Sequence, residues 1–258
     1  MSEAETGSGT VAVATAGNRH LDRQELLQEL IRRYGGGSGF RLRLRFYRKK
    51  YAWLAVVAGA ALLKRSVDII AAAFFLVALS PLFAVVALII KLTDGGPVLY
   101  RQTRVGRWGR EFPFPKFRSM VMNSDKLRQE LLKANDHGNG ITFKMKRDPR
   151  ITPIGRFIRK FSIDEMPQLW CVLKGDMSLV GPRPPIPSEV ARYTLRDRRR
   201  LDVIPGLTCI WQVSGRSDIP FDRQVEMDIE YIESQSLWFD IVLLLRTVPA
   251  VLLGKGAY

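Results

Sequence analysis

The segment from Ile69 to Ile90 runs for twenty-two residues without a charge. As a straight helix it reaches roughly 33 Å, about the thickness of a bilayer's hydrocarbon core. Ser80-Pro81 interrupts it close to the middle. Proline removes a backbone donor and its ring collides with the preceding turn, so the helix is expected to kink or reverse there. Lys64 and Arg65 precede the run, and Lys91, Arg101, Arg104, Arg107 and Arg110 follow it. Positive flanks mark the cytoplasmic side. A helix that enters, bends at Ser80-Pro81 and returns keeps both flanks there, whereas a crossing helix sends one outside. The expectation is a re-entrant, monotopic anchor.

Charge adds a second constraint. The chain carries a formal +15 in 258 residues, which calls for an anionic partner: nucleic acid, acidic lipid or a phosphorylated substrate. Arg41, Arg43, Arg45, Arg48, Lys49 and Lys50 stand just before the twelve-residue apolar run Ala52 to Leu63. Twelve residues are too few to span a bilayer, but beside a basic cluster they suit an interfacial segment drawn to anionic inner-leaflet lipid. The membrane-length run that follows argues against nucleic acid as the partner. Before this, residues 1–18 read as a flexible tail and His20 to Tyr34 as a short helix. Its Leu-rich stripe around Leu27 is the one feature pointing to a homodimer. No signal peptide is visible. The two cysteines, Cys171 and Cys209, lie in apolar surroundings without CxxC spacing, and read as buried thiols rather than a metal or disulfide framework.

After the turn Asp94-Gly95-Gly96-Pro97 the character changes. Val98 to Tyr100 and Phe112 to Phe117 read as short strands around a Gly106 to Arg110 turn. Lys126 to Ala134, Arg156 to Lys160 and Pro167 to Lys174 read as helices, Asp136 to Gly140 as a polar loop, and Leu237 to Leu253 as an amphipathic surface helix carrying Asp240 and Arg246. The expected fold class is α+β: a monotopic membrane protein with a Ser-Pro-broken re-entrant helix and a small cytoplasmic α/β domain with irregular loops. The expected divisions are residues 1–40 (extension), 41–63 (interfacial), 64–93 (re-entrant helix) and 94–258 (catalytic).

No GxxxxGK[ST] is present, nor a GxGxxG leading from a strand into a helix, so familiar phosphate loops are excluded. The densest signal is Ser162-Ile163-Asp164-Glu165-Met166-Pro167. Ser162 and Glu165 have capping-box spacing. Alternatively Pro167 is the first helical residue, leaving Asp164 and Glu165 just outside a helix N-terminus. Amides and the helix dipole there favour an ionised carboxylate. Adjacent carboxylates suit attack on phosphorus and Mg²⁺ binding. Gly181-Pro182-Arg183-Pro184-Pro185 presents Arg183 from a stiff loop, which lowers the entropy lost on gripping a phosphate. Lys116-Phe117-Arg118 alternates cations with an apolar residue, and Arg156 and Arg159 share a helix face.

Taken in order, several motifs resemble the bacterial sugar transferase family, the monotopic polyprenyl-phosphate sugar-1-phosphate (phosphoglycosyl) transferases. They are Lys64-Arg65 with Asp68, Ser80-Pro81, Asp94-Gly95-Gly96-Pro97, Arg101-Gln102, Arg104-Val105-Gly106, Lys116 to Met120, Asp164 to Trp170, Lys174 to Ser178 and Gly181 to Pro184. Pro205 to Thr208, Trp211 to Arg216, Asp228, Tyr231, Asp240 and Gly256-Ala257-Tyr258 continue the match.

The resemblance implies that Asp164 attacks the sugar-bearing phosphate of a nucleotide sugar, expels the nucleoside monophosphate, and passes the phosphosugar to a polyprenyl phosphate. Glu165 is the neighbouring acid of the pair, with Asp164 and Glu165 together assigned to Mg²⁺. Lys116, Arg118, Arg159, Arg183 and Arg216 fall on basic motif positions that hold phosphate or nucleotide, and Asp228 and Asp240 on later acidic ones, all assigned to substrate binding. The implied donor is UDP-glucose or UDP-galactose and the acceptor undecaprenyl phosphate, for exopolysaccharide, O-antigen or capsule assembly. The implied place is the bacterial inner membrane, with the catalytic domain facing the cytoplasm. Cys171 departs from the usual asparagine and Ser119 from the commoner threonine. The chain reads as the minimal form, without the four-helix membrane region of larger members. The alternative is a non-catalytic membrane adaptor of polysaccharide export, with the acidic pair as a helix cap.

Overall fold

The computed structural model describes residues 39–124 and 148–253, with Gln28, Arg32 and Leu127 besides. The expected tail, the helices over His20 to Tyr34 and Lys126 to Ala134, the loop Asp136 to Gly140 and the terminal Gly256-Ala257-Tyr258 lie outside them. The chain divides into two compact units, Met1–Ala58 and Gly59–Tyr258. Their boundary falls inside helix α1, Gly39–Ala78, so the interfacial segment and the first half of the apolar run belong to one helix. No local breaker separates them, since Gly59 alone weakens a helix by only about 1 kcal/mol.

In the first unit, residues 40–58 of α1 are exposed throughout, including Phe46, Tyr47, Tyr51 and Trp53 among the six basic side chains. Tyr47 and Tyr51, one turn apart, stack with centroids 6.3 Å from each other.

In the second unit, α1 ends at Ala78 and α2 covers Ser80–Asp94. The break is chemically neat. Pro81 has no N–H for the Val77 carbonyl, and the Ser80 hydroxyl donates to that same carbonyl at 2.8 Å. The Phe40–Ala78 and Ser80–Thr93 helices are bent by 57°. Among the described residues no single helix is long and apolar enough to cross a membrane, but this bent pair passes together by length and composition.

The face that α1 turns inward is polar and small, while bulky apolar residues face out. Asp68 and Ala72 are buried, whereas Ile70, Phe74, Phe75 and Val77 are exposed, as are Leu82, Val85, Leu88 and Leu92 of α2. Water-soluble domains arrange these the other way round. The inward polar groups serve as anchors. Arg65 donates to the Val172 and Leu173 carbonyls at 2.7 and 2.9 Å, capping the last turn of a helix where intrahelical donors run out. Asp68 accepts from the Leu179 N–H at 3.1 Å.

Strand β1, Leu99–Val105, pairs antiparallel with β2, Glu111–Phe117, in the register Leu99↔Phe117 to Val105↔Glu111. The first strand is longer than its apolar residues predict, because backbone pairing carries Arg101 to Arg104 along with it. Pro113 and Pro115 cannot donate, which suits β2 to an edge. Phe112 and Phe114 point into the core with Leu169, Val172, Met177, Leu179, Tyr231 and Leu243.

Next come α3, Pro153–Lys160, capped by the Thr152 hydroxyl, and a 3-10 helix, Ile163–Gln168. Helix α4, Leu169–Lys174, follows and ends on left-handed Gly175. Strand β3, Ser178–Val180, lies parallel to β4, Gly206–Thr208. Between these strands lie α5, Pro187–Val190, and α6, Leu195–Arg198. The chain closes with α7, Ile210–Ser214, α8, Phe221–Ser234, and α9, Leu237–Leu253. This mixed pattern bears out the α+β class.

β3 and β4 meet through two glycines. A Cβ on Gly206 would lie 2.0 Å from the Gly181 nitrogen, and Gly206 donates to the Pro182 carbonyl at 2.9 Å. Because backbone blocks the space, Gly206→Ala is expected to destabilise the fold by about 3 kcal/mol. That corresponds to a fall in Tm of roughly 6–12 °C for a domain of this size, readable by thermal denaturation in detergent. A change below about 2 °C would show that the crossing can relax.

Candidate active site

The acidic pair does not sit outside an α-helical N-terminus, as one sequence reading expects, nor in a capping box. Asp164 and Glu165 occupy the first turn of the 3-10 helix, which contains Pro167. Tighter i→i+3 bonding carries the chain over the missing proline donor, as in Glu165 N–H to Ser162 O at 3.2 Å. Ser162 takes a left-handed φ of 54° and caps nothing. Its hydroxyl lies 3.4 Å from the Arg216 guanidinium, and Arg216 is itself left-handed at φ 52°. Two strained non-glycine residues in contact beside a carboxylate pair mark a place where geometry is held for a purpose.

The carboxylates have opposite surroundings. Glu165 is clamped: Arg183 reaches Oε2 at 3.1 Å with one nitrogen and Oε1 with the other, and Lys116 reaches Oε1 at 3.1 Å. Asp164 is buried, yet no donor among the described residues bonds its carboxylate. Burial, helped by the neighbouring Glu165 charge, raises the Asp164 carboxyl to about 6, against the pull of Lys116, Arg159 and Arg183. Burial also opposes ionisation of Glu165, but Arg183 and Lys116 overcome it and hold that carboxyl well below the usual range. Burial lowers the Lys116 ammonium, partly offset by Glu165. Environments that push a carboxyl pair apart in this way assign different roles to the two members.

The arginine loop is positioned from β1. Val105 N–H donates to the Pro185 carbonyl at 2.8 Å, and Arg104 donates to the Pro184 carbonyl at 2.9 Å while lying 5.2 Å from the Phe114 ring centre. Burial, then the Arg183 charge, lower the Arg104 guanidinium to about 10.

Two cavities meet at Asp164. The larger, about 480 Å³, is lined by Lys116, Arg118, Arg159, Asp164, Arg183 and Arg104, and extends to Arg200, Tyr193 and Gln224. The smaller, about 260 Å³, shares Lys116, Arg159, Asp164 and Arg183, and adds Glu165, Arg216 and the inner side of α9. Arg159 keeps a buried Nη1 with no hydrogen-bond partner among the described residues.

Lys116, Arg118, Arg159, Arg183 and Arg216 therefore gather around the acidic pair. Arg156 does not: it is exposed and lines neither cavity. Asp228 and Asp240, expected among the substrate-binding residues, also stand outside both. Asp228 is fully buried and accepts from Arg200 at 2.7 Å. Asp240 pairs with Lys64 and accepts from the Tyr231 hydroxyl at 2.8 Å. Each is paired with a cation away from the acidic pair.

Sequence reading missed two groups. Arg104 and Arg200 gave no separable signal, Arg104 being one motif arginine among several and Arg200 the end of an Arg198-Arg199-Arg200 run that looks solvated. Cys171 replaces an expected asparagine and donates its thiol to the Pro113 carbonyl at 3.4 Å; burial raises it to about 11.

The family model described as bacterial sugar transferase matches residues 59–254. The chain belongs to the bacterial sugar transferase family. An undecaprenyl-phosphate galactose phosphotransferase of Salmonella typhimurium is 50% identical over 201 residues, covering 76% of this chain and 42% of that protein. The exopolysaccharide production protein ExoY of Sinorhizobium fredii is 41% identical over 198 residues, covering 76% of this chain and 88% of that one. A UDP-glucose:undecaprenyl-phosphate glucose-1-phosphate transferase of Escherichia coli is 39% identical over 210 residues, with 76% and 42% covered. The sugar transferase chain thus spans about two fifths of the length of the Salmonella and Escherichia relatives it matches, and most of ExoY.

Proposed function

We propose that this sugar transferase moves a hexose-1-phosphate from a uridine diphosphate hexose, glucose or galactose, to undecaprenyl phosphate, through a covalent intermediate on Asp164. The observation that carries the reading is the unequal carboxylate pair: a buried Asp164 whose carboxylate no donor among the described residues bonds, beside a Glu165 held by two cations. The names of the relatives supply the donor and acceptor classes.

An Asp164 oxygen attacks the sugar-bearing phosphorus as the bond to the nucleotide's phosphate oxygen breaks. The nucleoside monophosphate leaves with that electron pair. Lys116, Arg159 and Arg183 stabilise the charge on the phosphoryl oxygens. Glu165 keeps Lys116 and Arg183 charged and fixed in direction. Arg183, presented from its proline-bounded loop, needs little reorganisation.

Magnesium fits one part of this site. The open lone pairs of Asp164, together with the donor's own phosphates, match the one-carboxylate pattern by which Mg²⁺ is held. Glu165, with both oxygens engaged, joins only by exchanging Arg183 for metal. Among the described residues no group of three or more His, Cys, Asp or Glu is placed to hold a metal ion. When bound, the ion would neutralise charge on the diphosphate.

The bulky apolar residues exposed on α1 and α2, with the polar groups that α1 turns inward, support a re-entrant anchor in the bacterial inner membrane, with the site at its cytoplasmic face. Arg41, Arg43, Arg45, Arg48, Lys49 and Lys50 suit contact with anionic lipid.

The test is release of uridine monophosphate by detergent-extracted protein, given Mg²⁺, undecaprenyl phosphate and a panel of uridine diphosphate sugars. Lipid-dependent turnover favouring one hexose is expected. No release from any sugar by folded protein removes the uridine-donor assignment. The pH profile is a second check. Asp164 must be ionised to attack, so the first half-reaction is expected to fall tenfold per pH unit below about 6 and to be level above it. A limb near pH 4 would place the attacking group elsewhere.

A further inference from the structure

The cations around Asp164 are not distributed evenly. Arg118 lines only the larger cavity and Arg216 only the smaller, while Lys116, Arg159 and Arg183 line both. The walls differ in kind as well. The larger cavity mixes polar and charged groups such as Gln102, Arg104, Arg200 and Gln224 with apolar ones such as Leu99, Phe117 and Ile186. The smaller takes one wall from the inner side of α9: Leu244, Thr247, Ala250 and Val251. The opposite side of that helix exposes Trp238, Leu245, Val248 and Leu252.

We propose that the smaller cavity receives the lipid acceptor, with Arg216 as the grip on its phosphate and the α9 wall against its first hydrocarbon units, while the larger cavity holds the nucleotide. This rests on the transfer reading above. An amphiphile needs a cation and an apolar wall within one molecule's length of each other. Of the two cavities, only the smaller combines Arg216 with the apolar inner side of α9. The soluble donor, whose polar head is larger than the acceptor's single phosphate, matches the larger and more polar of the two spaces. The paired left-handed residues Ser162 and Arg216 hold the guanidinium in place.

In-line displacement limits how far the substrates can be separated. The nucleotide leaves from the side of phosphorus opposite Asp164, and the acceptor must attack from that same side. The reacting phosphates therefore occupy one position in turn, between the shared Lys116, Arg159 and Arg183, and only the bodies behind them diverge. In the second step an acceptor phosphate oxygen forms a bond to the sugar-bearing phosphorus as the bond to the Asp164 oxygen breaks. The electron pair returns to the carboxylate, and sugar and lipid are joined through a diphosphate.

Two half-reactions separate the cavities. Exchange of labelled uridine monophosphate into the uridine diphosphate hexose, without lipid, reports the first step alone. Ala250→Phe, which fills the α9 side, is expected to leave exchange within about twofold and to cut lipid-dependent turnover at least tenfold. Ile186→Trp, in the larger cavity, is expected to do the reverse, raising the donor KM and lowering exchange at unchanged acceptor KM. If Ala250→Phe fails to give a normal melting transition, Ala250→Leu is read by the same criteria. Loss of exchange along with lipid transfer in the α9 variants would place the sugar in the smaller cavity and overturn the assignment. So would unchanged transfer to lipid. Absence of exchange in the unaltered protein would remove the covalent reading itself, an outcome distinct from exchange that persists while the cavity variants do nothing.

Discussion

Asp164→Asn is expected to abolish sugar-phosphate transfer, by on the order of 10⁴-fold or more, and at the same time to raise the melting temperature. An amide keeps the shape but lacks the nucleophilic oxygen pair that forms the covalent bond. The gain in stability follows from the same carboxyl. The folded protein holds its proton up to about 6, whereas the ordinary value is 3.8. The native state thus binds that proton more tightly than the unfolded chain does. The unaltered protein loses stability through this group as pH rises from about 3.8 to about 6, and the loss is complete at pH 7. Each unit of such a displacement corresponds to about 1.4 kcal/mol, so asparagine, which mimics the neutral acid, should recover about 1–3 kcal/mol at neutral pH. For a domain of this size Tm rises by roughly 2–4 °C per kcal/mol. The advantage should shrink as pH falls from about 6 and vanish below about 3.8, where the group is protonated in the folded and unfolded chain alike. Uridine monophosphate release and thermal denaturation at pH 7 and pH 5 test both halves. Retained activity would remove Asp164 as the nucleophile. A lowered Tm at pH 7 would mean that its charge is stabilised in place.

Arg183→Ala is the second large effect. It leaves Glu165 largely buried with Lys116 as its only remaining ion-pair partner among the described residues. Removing one partner of a buried pair typically costs about 3–5 kcal/mol, because the remaining charge is stranded. The expected fall in Tm is roughly 6–20 °C, and transfer should drop on the order of 10²–10³-fold with loss of a phosphate-stabilising donor. A double replacement separates the two causes. In Glu165→Gln with Arg183→Met the carboxylate is no longer stranded and only Lys116 loses a partner, so stability should recover in part while activity stays low. Activity that recovers together with stability would show Arg183 to be structural only. Stability that stays low in the double variant would show that the pair contributes more than mutual neutralisation.

Both predictions depend on contacts that a linear reading reaches only halfway. Arg183 was singled out as a stiffly presented guanidinium, and the prolines around it bear that out. Its bond to Glu165, 18 residues away, and the meeting of Glu165 with Lys116, 49 residues away, are set by how the β1–β2 hairpin packs on the 3-10 helix. Asp240 is the sharper case. In sequence it is one charge in an apolar helix, equally fit for substrate or structure. Only its meeting with Lys64, 176 residues earlier, makes it a fastening between α9 and α1.

What the sequence determined by itself was whatever depends on neighbours a few residues away. The break at Ser80-Pro81 follows from a missing donor, the hairpin from apolar residues around a glycine-rich turn, and the end of α4 from Gly175. The identity of the acidic pair and its surrounding basic motifs was legible in the same way, as residue types in a fixed order. The tertiary structure decided the rest. It made α1 one helix across an expected boundary, placed the acidic pair in a 3-10 turn, and divided the cations between two cavities. It also shifted the ionisation of two adjacent carboxyls in opposite directions, because burial and the charges near each depend on groups far apart along the chain. A carboxylate's reactivity is set by the dielectric and the charges around it, and those exist only once distant segments have packed together.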